Sequence, residues 1–283
     1  MPQILPPAIF LLLIFSSTGT PVWGQGGPVS DTDDHSCFNA KIVSVPSRPT
    51  ITDSTDTTQC GVVEVEFGLE RQWPGAGANH DDLSGGLRFG LTHSMDMTWS
   101  SGTFVHIMDG DGDRTGFGDN WLGLRYRFIR QKRRRPSFGL FYEAKIPSAN
   151  AGLGLGSGAV DHSLSFLLSK DLHQLHIDFN VIQLLDGRRA MPGFDHGTGL
   201  ALAPSLPITR HLTVVAEPYG YTALNASNPA FASVMGGITY QVKSRLFLDG
   251  GLDGGLSHYA PHKRVFVGVT YAIANFYSWF KSP

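Results

Sequence analysis

Residues Gly118–Phe128, GDNWLGLRYRF, separate into two rows when every second position is taken. Leu122, Leu124, Tyr126 and Phe128 form an apolar row, and Asp119, Gly123, Arg125 and Arg127 a polar or small one. A period of two belongs to a strand with unlike faces. The alternation recurs and predicts twelve strands, near Gly61–Trp73, Leu83–Leu91, Met95–Ser100, Gly118–Phe128, Phe138–Ile146, Asp161–Ser169, Leu175–Val181, His196–Ser205, Leu212–Tyr221, Phe231–Val242, Leu246–Leu252 and Arg264–Ile273. His196–Ser205 fits least well, because Pro204 cannot donate to a ladder. Connections after even-numbered strands are compact, with Lys170-Asp171 as one tight turn. Those after odd-numbered strands are longer, among them Phe104–Phe117 and the Gly-rich stretch Pro147–Val160. An even-numbered antiparallel transmembrane β-barrel has this order, with short periplasmic turns and long extracellular loops.

The direction of the faces separates this from a soluble calyx, whose interior is apolar. Here the second row is rich in Gly and Ser and carries ionisable groups, as a wet lumen requires. Phe128, Tyr240 and Tyr271 close their apolar rows just before turns or the chain's last strand ends, where an aromatic girdle sits. No run after the first residues is long and apolar enough for a spanning helix, so a membrane would be crossed by strands.

Three segments follow from this. Residues 1–24 contain the apolar run Ala8–Phe15 followed by small residues and read as a secretory signal, although no Lys or Arg precedes the run. Residues 25–60 are rich in Gly, Pro, Ser, Thr and Asp without either hydrophobic period and read as a periplasmic arm or plug. Residues 61–283 form the barrel. The two cysteines, Cys37 and Cys60, both precede the first strand, and export makes a disulfide between them the expectation.

Charge narrows the function. A net charge of −2 with 16% charged residues leaves no global argument for nucleic acid, and the basic run Arg130–Arg135 reads as a solvated turn. Asp109, Asp111 and Asp113 alternate like the start of a calcium loop, but Asn120 stands where the closing Glu belongs, so no metal is expected. His80, His106, His162, His258 and His262 lie near loops or strand ends with Ser157, Ser163 and Ser257, yet no nucleophile-elbow spacing accompanies them, and no catalysis or cofactor is expected. The constellation that remains is the polar row: Glu64, Glu66, Glu70, Arg88, Arg125, Arg127, Glu143, Lys145, Asp178, Glu217 and Asp249. Tight-turn registers bring Glu66 near Arg88 and Arg125 near Glu143, and these side chains are expected to line the lumen and set its constriction.

Arg48–Asp56 (RPTITDSTD), the Gly61–Trp73 strand, GFGDNWLGLRYRF at 116–128, LLSKDL at 167–172 and VFVGVTYAI at 265–273 together resemble the MetA-pathway phenol-degradation family. The resemblance implies an exported outer-membrane barrel of transporter type and suggests aromatic or hydrophobic solutes. This chain departs from such barrels by continuing past Tyr271 through ANFYSWFKSP, with Phe276 or Phe280 as candidate terminal aromatics. The expected function is passive or gated passage of a small solute across the outer membrane, with membrane lipid, the solute and the assembly machinery as partners. A closed structural or adhesive barrel with partner-binding loops is the rival, and a rim-sited lipid enzyme a weaker one.

Overall fold

Alternating residues pair into strands because one row can be buried while the other meets lipid, and every backbone polar group inside a bilayer needs a partner. The computed structural model describes residues 37–38, 41–74, 78–109, 112–189 and 191–280, so the expected signal at 1–24 lies outside the described residues. Its strands are β1 Val62–Pro74, β2 Asn79–Thr92, β3 Met95–Asp109, β4 Gly112–Gly116, β5 Asn120–Ile129, β6 Ser137–Ile146, β7 Asp161–Leu172, β8 Leu175–Gly187, β9 Phe194–Pro207, β10 Leu212–Tyr221, β11 Phe231–Lys243, β12 Leu246–Gly255 and β13 Pro261–Asn275. All pair antiparallel with their neighbours, and β1 pairs with β13 through Val65↔Tyr271 and Phe67↔Val269, which closes the sheet. β4 and β5 share one place in the wall, because β3 pairs with β5 along Met95–Ser101 and with β4 along Val105–Asp109. The barrel therefore has twelve staves.

The apolar rows face outward. Leu122, Leu124, Tyr126 and Phe128 are 44–51% exposed, while Gly123 and Arg125 between them are buried. Phe67, Leu69, Phe166, Ile238, Leu248, Val267, Tyr240 and Tyr271 repeat this around the wall. Such an exterior is costly in water and suited to hydrocarbon.

Several connections differ from expectation. The stretch 104–117 is mostly paired, as β3 runs on to Asp109 and turns back through β4. Lys170 and Asp171 belong to β7, and the turn falls at His173-Gln174, where His173 takes the left-handed backbone conformation. β9 accommodates Pro204 opposite Ile177 of β8, and the β9–β10 ladder lapses between the pairs Ser205↔Val215 and Ala201↔Tyr219, a stretch that also holds Pro218. Proline has no N–H to give, so both fall where a ladder bond is missing. β13 continues past Tyr271 to Asn275, and a short 3-10 turn, Phe276–Phe280, follows. The Phe276 N–H reaches the Gly61 carbonyl at 2.7 Å and the Tyr277 hydroxyl the Leu91 carbonyl at 2.5 Å, pinning the chain end beside the start of β1.

Candidate functional site

The inward rows of the barrel meet residues 43–60, which run through the lumen without forming a strand. A buried backbone outside a ladder must find its hydrogen bonds elsewhere. Here luminal side chains supply them. Glu64 accepts from the Val45 N–H at 2.6 Å, Glu66 from the Ser47 N–H at 2.9 Å, and Glu217 from the Ile51 and Thr52 N–H groups at 2.9 and 2.5 Å, with the Thr52 hydroxyl also bonded to it. Asn180 accepts from the Asp53 N–H at 2.7 Å and donates to the Asp53 carbonyl at 2.9 Å. Ser169 takes the Thr55 N–H at 2.9 Å and Asp96 the Thr58 N–H at 2.7 Å. Thr52, Thr55 and Thr58 are fully enclosed.

Luminal arginines hold the carbonyls. Arg88 donates to the Val45 carbonyl at 2.6 Å and lies 3.2 Å from both Glu66 and Asp96 and 3.4 Å from Glu64. Arg125 donates to the Ser54 and Asp56 carbonyls at 2.9 and 3.1 Å and to the Asp53 carboxylate at 2.7 Å, its guanidinium over the Phe141 ring. Arg127 pairs with Asp56 at 2.7 Å. Opposite the usual direction, a segment cation reaches the wall: Arg48 lies 3.2 Å from Asp249. Glycine makes this approach possible. A Cβ on Gly68 or on Gly268 would fall 2.3 Å from the Arg48 guanidinium group, one on Gly90 2.0 Å from the Gln59 carbonyl, and one on Gly237 3.1 Å from Pro49. Burial raises the Asp53 carboxyl above the ordinary carboxylate range, against the pull of Arg125 and Arg88.

The remaining expected luminal residues divide. Arg125 turns to the segment, so no ion pair with Glu143 forms, and Glu143 instead lines a cavity of about 300 Å³ with Arg48, Ile51, Asp53, Glu66 and Arg125. Lys145 works at the other end of the barrel, paired with Asp161 and, at 3.7 Å, with Asp119, and donating to Ser157 of the long loop at 2.6 Å. Asp178 bonds to Ser169 and, at 3.0 Å, to His176, which also holds Asp171 at 2.6 Å. Ser169 gives its proton to Asp178 and not to His176, so these residues do not form a nucleophile–base pair. Glu70 lies 3.4 Å from Arg264, which in turn sits 3.0 Å from Asp253. Of the calcium-like run, Asp109 pairs with Arg114 and Asp113 lies 3.5 Å from His106, while Asp111 is outside the described residues. Cys37 and Cys60 are bonded, with Cα atoms 5.1 Å apart.

One side of the lumen is apolar, which the reading of a polar or small inner row did not anticipate. Ala201, Ala203, Val215, Tyr219, Met235 and Phe266 are buried together, with Ile51, Tyr221 and Phe231 packed against them. Tyr219, Tyr221 and Phe231 form mutual ring contacts at 5.4–6.4 Å. The signal was present in the alternation itself, which puts Tyr219 in the same row as Thr213 and Glu217. Asp96, Ser169 and Asn180 also occupy inner rows, but nothing in their own strands marks them as receptors for a distant segment.

Residues 47–273 match the family model described as "Putative MetA-pathway of phenol degradation", a span that takes in the luminal segment from Ser47 onward and the strands as far as Ile273 of β13. The chain belongs to that family. Among solved structures it is similar to the COG4313 outer membrane channel from Pseudomonas putida F1, at 13% identity and a TM-score of 0.61, covering 80% of this chain and 99% of that one. It is also similar to the NanC porin, at 9% identity and a TM-score of 0.53 over 75% of this chain and 100% of that one. The KdgM porin in complex with disordered oligogalacturonate matches at 10% identity and a TM-score of 0.50, over 75% and 99%. Among curated proteins none matches the chain. The family and these folds identify an outer-membrane-type β-barrel.

Proposed function

We propose that this member of the family is an outer-membrane channel for small solutes whose resting lumen is occupied by residues 43–60 acting as a releasable plug. The observation that carries the reading is the way the segment is held. Eight wall residues, Glu64, Glu66, Glu217, Asn180, Ser169, Asp96, Arg88 and Arg125, bind its backbone atoms through their side chains, so docking depends on hydrogen bonds that water can replace and not on a covalently continuous wall. Glu64, Glu66, Arg88, Arg125, Arg127, Glu217 and Asp249 then serve as the plug's seat, Asp178 backs it through Ser169, and Glu143 and Lys145 line the path beyond it. The apolar side formed by Tyr219, Tyr221, Phe231 and Phe266 supports passage of aromatic or hydrophobic compounds.

The occupied lumen also favours the rival reading, a closed barrel that serves as a scaffold for its loops. Planar-bilayer recording separates the two. The full chain should conduct little or intermittently, and a variant lacking residues 41–59 should give a stable, larger conductance. A folded variant without the segment that still fails to conduct would establish the closed barrel.

A further inference from the structure

The turns at the end of the barrel that holds the start of β1 cover 93–94, 173–174, 208–211 and 244–245, but the β5–β6 turn is longer, 130–136. It carries Arg130, Lys132, Arg133, Arg134 and Arg135 and no acidic residue. A charged turn of this kind is ordinarily solvated and loose. This one is held. The Lys132 and Arg135 backbones bond to each other at 2.9 and 3.2 Å. Lys170, from the outward row of β7, donates to the Lys132 and Arg133 carbonyls at 2.8 and 3.1 Å. Gln131 and Asp171 exchange two bonds, the Gln131 amide donating at 2.5 Å and the Asp171 N–H at 2.7 Å. Lysine and glutamine side chains that could have met solvent are thus used to fix the turn backbone. The cationic side chains of Lys132, Arg133 and Arg134 remain exposed and have no partner among the described residues.

Depth decides what they meet. Tyr126 and Phe128, on the outward row that leads into the turn, are 51% and 50% exposed, and Phe166 on β7 is 48% exposed. Lys170 continues the row of Phe166 and Leu168, so its grip ties the Lys132–Arg133 backbone to the outward row, while Gln131 reaches Asp171 on the inward row. The cations consequently begin where the lipid-facing belt ends, at headgroup level. We infer that the β5–β6 turn is a binding site for anionic phospholipid headgroups of the leaflet at this end of the barrel. Phosphate oxygens accept from Lys132, Arg133 and Arg134, and the acyl chains lie along Tyr126, Phe128 and Phe166. Arg210 and Arg245 in the other turns, with Lys243 at the end of β11, raise the potential of the same rim. A soluble acidic partner would use the charges but has no need of the apolar row directly beneath them.

Native mass spectrometry of the delipidated full-length protein in detergent, titrated with cardiolipin or phosphatidylglycerol against phosphatidylethanolamine, tests this inference. The parent should retain the anionic lipids preferentially. The triple variant K132Q/R133Q/R134Q should lose that preference by about tenfold, and R188Q/R189Q at the opposite end should keep it. Because the three side chains have no partner, the variant should show the parent's heat-dependent gel mobility. The parent's preference should also fall steeply with added salt, a measurement that needs no variant. Equal retention by parent and triple variant would overturn the inference. So would inorganic phosphate or polyglutamate binding the parent as well as the lipids do, the first indicating a free-anion site and the second an acidic macromolecular partner.

Discussion

Glu217 is the residue on which the docked segment depends most, because one carboxylate accepts from two consecutive backbone N–H groups and a hydroxyl. Replacing it by Ala leaves buried donors without an acceptor, at a cost on the order of 1–3 kcal/mol to docking. Glu217→Ala should therefore raise open-channel probability in bilayer recordings while the barrel still folds. Gly68→Leu should act the same way by a different route, since its side chain would take the space of the Arg48 guanidinium and break the Arg48–Asp249 pair. Proton linkage supplies a third probe. Asp53 has an ordinary value of 3.8 when free and a raised one when docked, so docking takes up protons. The Asp53 contribution to closure should thus grow as pH falls through the raised docked value towards 3.8, and Asp53→Asn should flatten the acid side of the open-probability profile. These contacts explain why the site was only half legible. Alternation assigns a face, so it placed Glu64, Arg88, Arg125 and Glu217 inward. It carries no information on what else enters the lumen, and so it pairs Arg125 with Glu143 across one turn, whereas the Arg125 hydrogen bonds go to a segment about seventy residues upstream, at Asp53 and Asp56.

At the level of elements, the strands were readable because each must present an unbroken apolar row to lipid. Their ends were not, because beyond the bilayer the ladder can continue without that row, as β3 and β4 do. Leu124, mid-strand in β5 and 45% exposed, tests the lipid-facing assignment. Leu124→Arg should destabilise the inserted barrel by roughly 2–4 kcal/mol if it lies at the midplane, measured as a shift in denaturant-induced unfolding in lipid vesicles. The luminal segment behaves differently as an element. It has no period of its own, and small side chains such as Thr52, Ser54 and Thr55 let its backbone approach the wall. The Cys37–Cys60 bond ties the last residue of this segment, just before β1, to a residue upstream of the segment's start. Cys37→Ser/Cys60→Ser should consequently assemble normally, since no barrel strand is crossed by the bond, but the freed segment should leave its seat more often and show faster proteolysis. Failure of the double variant to assemble would make the segment part of the folding unit.

For the whole molecule, the segment answers the wall's carboxylates with hydrogen bonds and not with net positive charge, since it brings Arg48 against Asp53 and Asp56. The inner wall carries Glu64, Glu66, Asp96, Glu143, Asp178, Glu217 and Asp249 against Arg88, Arg125 and Arg127 over the region the segment occupies. In the full chain, the segment's N–H groups answer Glu64, Glu66, Asp96 and Glu217, and Arg48 answers Asp249. Without it, these carboxylates face water in a narrow tube with low-dielectric walls, where an excess of one sign concentrates the opposite ion. A variant lacking residues 41–59 should accordingly be cation-selective, with a reversal potential in a salt gradient that moves toward the cation equilibrium value. The preference should strengthen in Arg88→Gln, which removes a wall cation, and weaken in Glu66→Gln. It should also fade at high ionic strength, as the screening length drops to about 3 Å at 1 M. Selectivity that ignores Arg88 and Glu66 but changes with Lys145→Gln would move the constriction away from the seat. It would then lie at the opposite mouth, where Lys145 holds Ser157 and the loop 147–160 folds inward with Leu155 buried.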